Sequence, residues 1–141
     1  MEKVTRANYK KDRYYKNVSK AVNDILQTKN YVAPVELFMK LGYLAKVGYE
    51  DWRAGKVPSL EQTLNCNLKK VNRVLRILKI HAKVIGLYES PTVYKKWGKG
   101  EKVLLRFSKY RNRNLEIAYS THYVLAKMKE VNQRSEATNE T

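Results

Sequence analysis

From Leu60 to Ile85 the aliphatic residues Leu60, Leu64, Leu68, Val71, Leu75, Leu78, Ala82 and Ile85 step by three or four. That is the spacing of one face of an α-helix. A stripe of this length cannot stay in water, so the stretch must pack against the rest of the chain. Its second half, NLKKVNRVLRILKIHAK, runs from Asn67 to Lys83 with six Lys or Arg and no acid. At about 100° per residue, Lys69, Arg73, Arg76, Lys79 and Lys83 fall within an arc of roughly 120°, with Asn72 inside it. Lys70 and Ile80 fall outside this sorting. An ordinary solvated helix face mixes signs, because Glu and Lys three or four apart support each other. Lys69 and Lys70 also sit near a helix start, where the macrodipole disfavours cations. The face therefore points to a polyanion as partner.

Two backbones fit the stripe. One is a single helix from Ser59 to Ile85, stopped at Gly86. The other breaks at Asn65-Cys66-Asn67, leaving a short helix at Ser59–Leu64 and a second one capped by Asn67. Asn disfavours helix interiors and favours caps. Lys56-Val-Pro-Ser-Leu-Glu-Gln is a helix start in either case, with Ser59 as N-cap and Gln62 completing a capping box.

Elsewhere the pattern predicts a mostly α chain with one β-hairpin, an α+β fold. A helix is expected over 12–27, carried by Tyr15, Val18, Val22, Ile25 and Leu26. Ala33-Pro34 opens a second, with Pro in its first turn and Gly42 or Gly48 at its end. Tyr49 to Ala54 is a third helical turn or two, stopped by Gly55, with Trp52 a core or lid residue and Arg53 a surface cation. Thr92–Trp97 and Lys102–Phe107 are β-rich runs around Gly98-Lys-Gly-Glu, a hairpin. Asn114 is expected to cap a last helix from Leu115 to about Lys129, with Ile117, Ala118, His122, Leu125 and Ala126 on its packed side. The domain reading is a basic flexible arm over 1–11, a single globular domain over 12–130 and a disordered tail over 131–141.

The charge extends beyond the helix. Lys and Arg number 29 against 13 acids, a formal net charge of +16. Such imbalance works against the compact state through self-repulsion and favours nucleic acid or anionic surfaces. Lys95, Lys96, Lys99, Lys102 and Arg106 lie on the hairpin, and Lys109, Arg111 and Arg113 on the loop that leaves it. With Lys69, Lys70, Asn72, Arg73, Arg76, Lys79 and Lys83 they form the expected nucleic-acid-binding set. Trp97 could stack on a base, but packing on the body is the preferred reading for it. The eleven tyrosines, several beside Lys or Arg, suit stacking with phosphate contact.

Enzyme chemistry has little to work with. The histidines are His81 and His122, there is one cysteine, Cys66, and no metal-binding spacing joins them. Glu50-Asp51 are adjacent and cannot face one Mg²⁺ site. His122 and Cys66 read as packing residues. No enzyme, metal or cofactor is expected. A lone cysteine and a start without an apolar core fit a reducing, cytoplasmic setting. No apolar run approaches the ~20 residues of a membrane span.

The order of short helices, basic helix and Gly-tipped basic hairpin over 59–107 resembles the winged helix-turn-helix family of DNA-binding domains. In that resemblance SLEQTL is the first helix, NCN the turn, KKVNRVLRILKI the recognition helix and TVYKKWGKGEKVLLRF the wing. It implies that Lys69, Lys70, Asn72, Arg73 and Arg76 face the major groove, and that Lys95, Lys96, Lys99 and Lys102 touch phosphate or minor groove. DNA is favoured over RNA as partner. The stretch DWRAGKVPSLE with TVYKKWGKG, RFSK and YSTHYV is also similar to a group of short bacterial proteins that carry no assigned activity. An RNA-binding or ribosome-associated protein and a non-enzymatic interaction module remain as alternatives.

Overall fold

The computed structural model describes residues 3–125. The tail expected over 131–141, and the last helix beyond 125, lie outside these residues. Among them the fold is α+β, with five α-helices and a three-stranded antiparallel sheet. The helices are α1 Tyr15–Leu26, α2 Pro34–Leu41, α3 Lys46–Arg53, α4 Leu68–Val84 and α5 Arg113–Ser120. The strands are β1 Tyr31–Val32, β2 Leu87–Ser90 and β3 His122–Leu125, in the order β1-β3-β2.

Local chemistry explains most boundaries. α2 begins on Pro34 and ends where Gly42 takes φ 82°, while the Tyr43 N–H returns to the Phe38 carbonyl at 2.8 Å. α3 begins earlier than its sequence pattern suggests, at Lys46, and buries Trp52 completely. The long stripe takes the broken path. Leu60–Thr63 is one 3-10 turn, residues 64–67 are not helical, and α4 starts behind Asn67. The Asn67 side chain accepts from the Lys69 N–H at 2.7 Å, the expected cap. At the far end Gly86 adopts φ 87° and stops the helix.

The expected capping box at Ser59 does not form. The Ser59 Oγ is buried without a hydrogen-bond partner. The free N–H groups of this turn go elsewhere: Leu60 donates to the Arg106 carbonyl at 3.1 Å and Glu61 to the Phe107 carbonyl at 2.9 Å. Main-chain partners thus replace the cap.

Two further expectations are corrected and a third, the hairpin, is met with little pairing. Residues 3–11 are not a free arm. Val4 and Tyr9 are buried in the core, and Tyr9–Lys11 forms a 3-10 turn against α4. The hairpin is real but barely a ladder. It has one bridge, Lys95 to Leu104, flanked by Lys96 N–H to Val103 O and Leu105 N–H to Tyr94 O, both 2.8 Å. The last helix starts behind Asn112, which replaces Asn114 as its cap, and it ends at Ser120 without continuing through His122. Thr121 and Ser120 hydroxyls close its final carbonyls, at Ile117 and Glu116. The chain then becomes β3, the central strand. Tyr123 pairs with Val32 on one side and Glu89 on the other. As the central strand, β3 has backbone partners on both edges.

The core joins α1, α2, α4 and the sheet to an aromatic cluster beneath the hairpin. Trp52 lies 4.9 Å from Phe107 and 5.5 Å from Tyr94 between ring centres, and its Nε1–H donates to the Arg106 carbonyl at 2.8 Å. Phe107 stacks on Tyr119 at 5.7 Å. Each such ring removes a large apolar area from water and adds ring–ring contact worth about 0.5–1.5 kcal/mol. The hairpin base is therefore part of the core, although its tip is exposed. No helix among the described residues is long and apolar enough to cross a membrane.

Candidate nucleic-acid interface

α4 is amphipathic in the structure as in the sequence. Val71, Val74, Leu75, Ile77, Leu78, His81 and Ala82 are buried. Lys69, Asn72, Arg76, Lys79 and Lys83 are exposed, at spacings of three and four. This stripe contains no acid over its whole length. Burial on one side fixes the helix, so the stripe's side chains project from a rigid base.

Two members of the expected binding set are diverted. Arg73 is half-buried and ion-paired with Asp12, Nη2 to Oδ2 at 2.5 Å and Nε to Oδ2 at 2.6 Å. Lys70 is also half-buried, its ammonium 4.8 Å from the Tyr43 ring centre and 5.5 Å from that of Tyr14. Arg76 stays exposed, but its Nε donates to the Val4 carbonyl at 2.7 Å. The N-terminal segment thus holds the near side of the stripe. Tyr9 completes the clamp, its hydroxyl 3.1 Å from His81 Nδ1. Burial holds His81 below its ordinary value, and Lys10 pushes the same way. The clamp is hidden in the sequence because its apolar members, Val4 and Tyr9, are isolated among cations.

Beside the stripe a groove of about 380 Å³ runs between Asn72, Leu75, Arg76 and Lys79 on one wall and Asn114, Leu115 and Ala118 on the other. A second groove, about 670 Å³, lies between the hairpin residues Val93 and Leu104 and the α5 residue Ile117, with Arg106 and Arg111 among its lining residues. The two grooves share Glu89, Ile117 and Thr121 as a common wall. The α4 stripe and the basic loop at the start of α5 are therefore neighbours across one ridge. Glu89 is exposed on that ridge, an acid among cations that the sequence pattern does not single out.

The Trp97 N–H donates to the Arg53 carbonyl at 2.7 Å, which lays the hairpin tip against α3. Trp97 packs on Tyr49 at 5.7 Å, in line with its preferred reading, while staying 45% exposed. Arg53 is not a plain surface cation. Its guanidinium lies 5.1 Å from the ring centres of both Tyr94 and Trp97. Lys95, Lys96, Lys99 and Lys102 are exposed. The Lys102 ammonium donates to the Gly98 carbonyl at 3.1 Å, and Lys96 lies over Gly55. Arg106 is half-buried, its Nε donating to the Pro58 carbonyl at 3.3 Å. Lys109, Arg111 and Arg113 are exposed.

No family model, curated protein or solved structure matches the chain. The chemistry of the side chains is then the guide to function. His122 shares a hydrogen bond with the Tyr94 hydroxyl at 2.9 Å and stacks on Tyr31 at 5.1 Å. Burial lowers its proton affinity. Burial pushes the Cys66 thiol up, against a smaller opposite pull from Lys70, which favours the unreactive thiol. No group of three or more His, Cys, Asp or Glu converges as a metal site among the described residues.

Proposed function

We propose that this protein binds nucleic acid without catalysing a reaction, and that its ligand is double-stranded DNA. The observation that carries the reading is the exposed, acid-free stripe Lys69, Asn72, Arg76, Lys79 and Lys83 on a helix whose opposite face is buried. A rigid row of cations one and two turns apart suits a line of phosphates. The break at residues 64–67 and the capped helix behind it support a winged-helix-like arrangement. In that arrangement α4 is the recognition helix and the 92–107 hairpin the wing. Asn72 and Arg76 then stand nearest to base edges, Asn for adenine and Arg for guanine. Arg73, turned to Asp12, holds the helix in place. Lys79, Lys83, Lys95, Lys99 and Lys102 serve phosphates. A free Cys66 suits a reducing cytoplasm.

The test is affinity for a labelled duplex measured over a series of salt concentrations. Several phosphate contacts require log K to fall linearly with log salt, with a slope of about −0.9 per phosphate neutralised. A flat response sinks the reading. Competition by structured RNA at one fixed salt decides between the two nucleic acids, and DNA is expected to win.

A further inference from the structure

Tyr110 is 84% exposed, more than any other large hydrophobic side chain among the described residues. It sits in the loop 108–112, between Lys109 and Arg111. A tyrosine on a floppy loop would need no explanation, but this loop is pinned. Glu116 accepts from the Phe107 N–H at 2.9 Å and the Ser108 N–H at 2.6 Å. Glu61 accepts from the Lys109 N–H at 2.7 Å and the Tyr119 hydroxyl at 2.8 Å. The Ser108 hydroxyl accepts from the Asn112 N–H at 2.8 Å. Arg111 takes φ 53°, an unusual value for a residue with a side chain, within the same turn. Charged acceptors on backbone N–H groups are strong bonds, so the loop presents its side chains from a fixed frame.

The groove next to it adds a second observation. Val93, Leu104 and Ile117 line it and are 65%, 60% and 54% exposed. Arg111 is among its lining residues. Large aliphatic side chains facing water together around a groove mark a binding surface. Arg106 and Arg111 line it together with Glu89 and Glu116, and Tyr110, whose ring centre lies 5.5 Å from the Lys109 ammonium, directly precedes Arg111 in the chain. Base faces are apolar and stack on tyrosine, while the phosphates of the same strand need cations at its edge.

We propose that the 108–113 loop and this groove form a site for an unpaired stretch of nucleic acid. One base stacks on Tyr110, the following bases lie on the apolar wall of Leu104 and Ile117, and Lys109, Arg111 and Arg113 meet the phosphates. The proposal rests on the nucleic-acid reading of α4 and adds a second strand form to it. The α4 stripe grips duplex, and the loop takes a single strand leaving it, across the shared wall of Glu89, Ile117 and Thr121.

The test compares a blunt duplex, the same duplex with an oligo-dT overhang, and free oligo-dT, by fluorescence anisotropy at one salt concentration. The overhang is expected to raise affinity. Tyr110→Ala is expected to remove that gain and weaken oligo-dT binding about tenfold, within the range for loss of one stacked base, while blunt-duplex affinity is unchanged. Tyr110→Phe keeps the ring and is expected to keep the affinity. The ring is exposed in the folded chain, so neither change should move the thermal midpoint. Leu104→Ser, on the groove wall, should weaken the strand and not the duplex. An oligo-U arm that binds more tightly than oligo-dT with the same loss in Tyr110→Ala keeps the site and assigns it RNA. Duplex binding with no overhang gain, or strand affinity unchanged in both Tyr110→Ala and Leu104→Ser, overturns the site and leaves α4 untouched, with the apolar wall then better suited to a protein partner. Absence of binding to every probe overturns the nucleic-acid reading and the site with it.

Discussion

Asn67 shows how one side chain can separate stability from function. It closes the non-helical stretch 64–67 and caps α4 through the Lys69 N–H. Asn67→Ala should cost about 1 kcal/mol, the usual loss of an N-cap acceptor, measured as a lowered urea midpoint. Asn67→Asp keeps the acceptor and sets a negative charge on the positive end of the helix dipole, where it stabilises by about 0.3–1 kcal/mol. The same charge stands among Lys69 and Lys70. Asn67→Asp is therefore expected to raise the urea midpoint and lower duplex affinity together. A raised midpoint with unchanged duplex affinity would mean that the partner does not meet this end of α4. His81 gives the other residue-scale prediction. Its ring is buried against Tyr9 and Tyr15, and its proton affinity is lowered by burial first and Lys10 second. The unfolded chain binds the proton at the ordinary value near 6.5, while the folded chain does not. Stability is then full above that pH and falls as pH drops below it, until the folded ring also protonates. His122, also lowered by burial, adds in the same direction. The urea midpoint should fall from pH 7 to pH 5, and His81→Leu should flatten part of that slope.

At the scale of elements, the segment before α1 is a working part of the α4 face. Val4 and Tyr9 are buried, Asp12 pairs with Arg73, and the Val4 carbonyl holds Arg76. Tyr9→Ala removes a ring that is 1% exposed. The expected loss is about 3–5 kcal/mol, as for other large aromatic truncations in cores, read by chemical unfolding. A free arm would give no loss. The long elements are legible in the sequence because their signals repeat. α1 and α4 each have an apolar stripe several turns long, the short α2 is opened by Pro34 and largely apolar, and Gly42 and Gly86 end α2 and α4. The choice between the single and the broken helix is not legible, since the stripe from Leu60 to Ile85 keeps helical spacing across the break. The 3-10 turn at Leu60–Thr63 is set by long-range bonds to Arg106 and Phe107, which no local pattern encodes. β1 and β3 are too short to show a period, and β3 exists because two partners flank it. The hairpin pattern is legible, yet both its faces at the tip are exposed, so little beyond one bridge is gained by pairing. The candidate site is legible as charge. Its diverted members, Arg73 and Lys70, are not, because Asp12, Tyr14 and Tyr43 are distant in sequence.

For the whole molecule the central quantity is the net charge of +16, since repulsion among so many cations opposes the compact state. Ion pairs among the described residues include Lys29–Glu36 and Arg73–Asp12. Most cations among the described residues face solvent, and folding alone gives no reason to keep them. Two groups can be tested against each other. Lys79→Glu with Lys83→Glu alters the α4 stripe, and Lys95→Glu with Lys102→Glu alters the hairpin. All four side chains are exposed, so neither pair should disturb packing. Each pair should leave the thermal midpoint unchanged or raise it at low salt, where repulsion is least screened. Each pair should also weaken duplex binding and reduce the magnitude of the salt slope, by about 0.9 for every phosphate left without its cation. If one ligand spans both groups, the combined variant should show the sum of the two slope changes, because separated contacts on one duplex act independently. Should the hairpin pair leave slope and affinity untouched while the α4 pair changes both, the footprint is confined to α4 and the hairpin's lysines serve another purpose. The arrangement favours the first outcome: α4 and the loop after the hairpin share the ridge of Glu89, Ile117 and Thr121, and the hairpin is fixed to the body through Trp97 and Arg53.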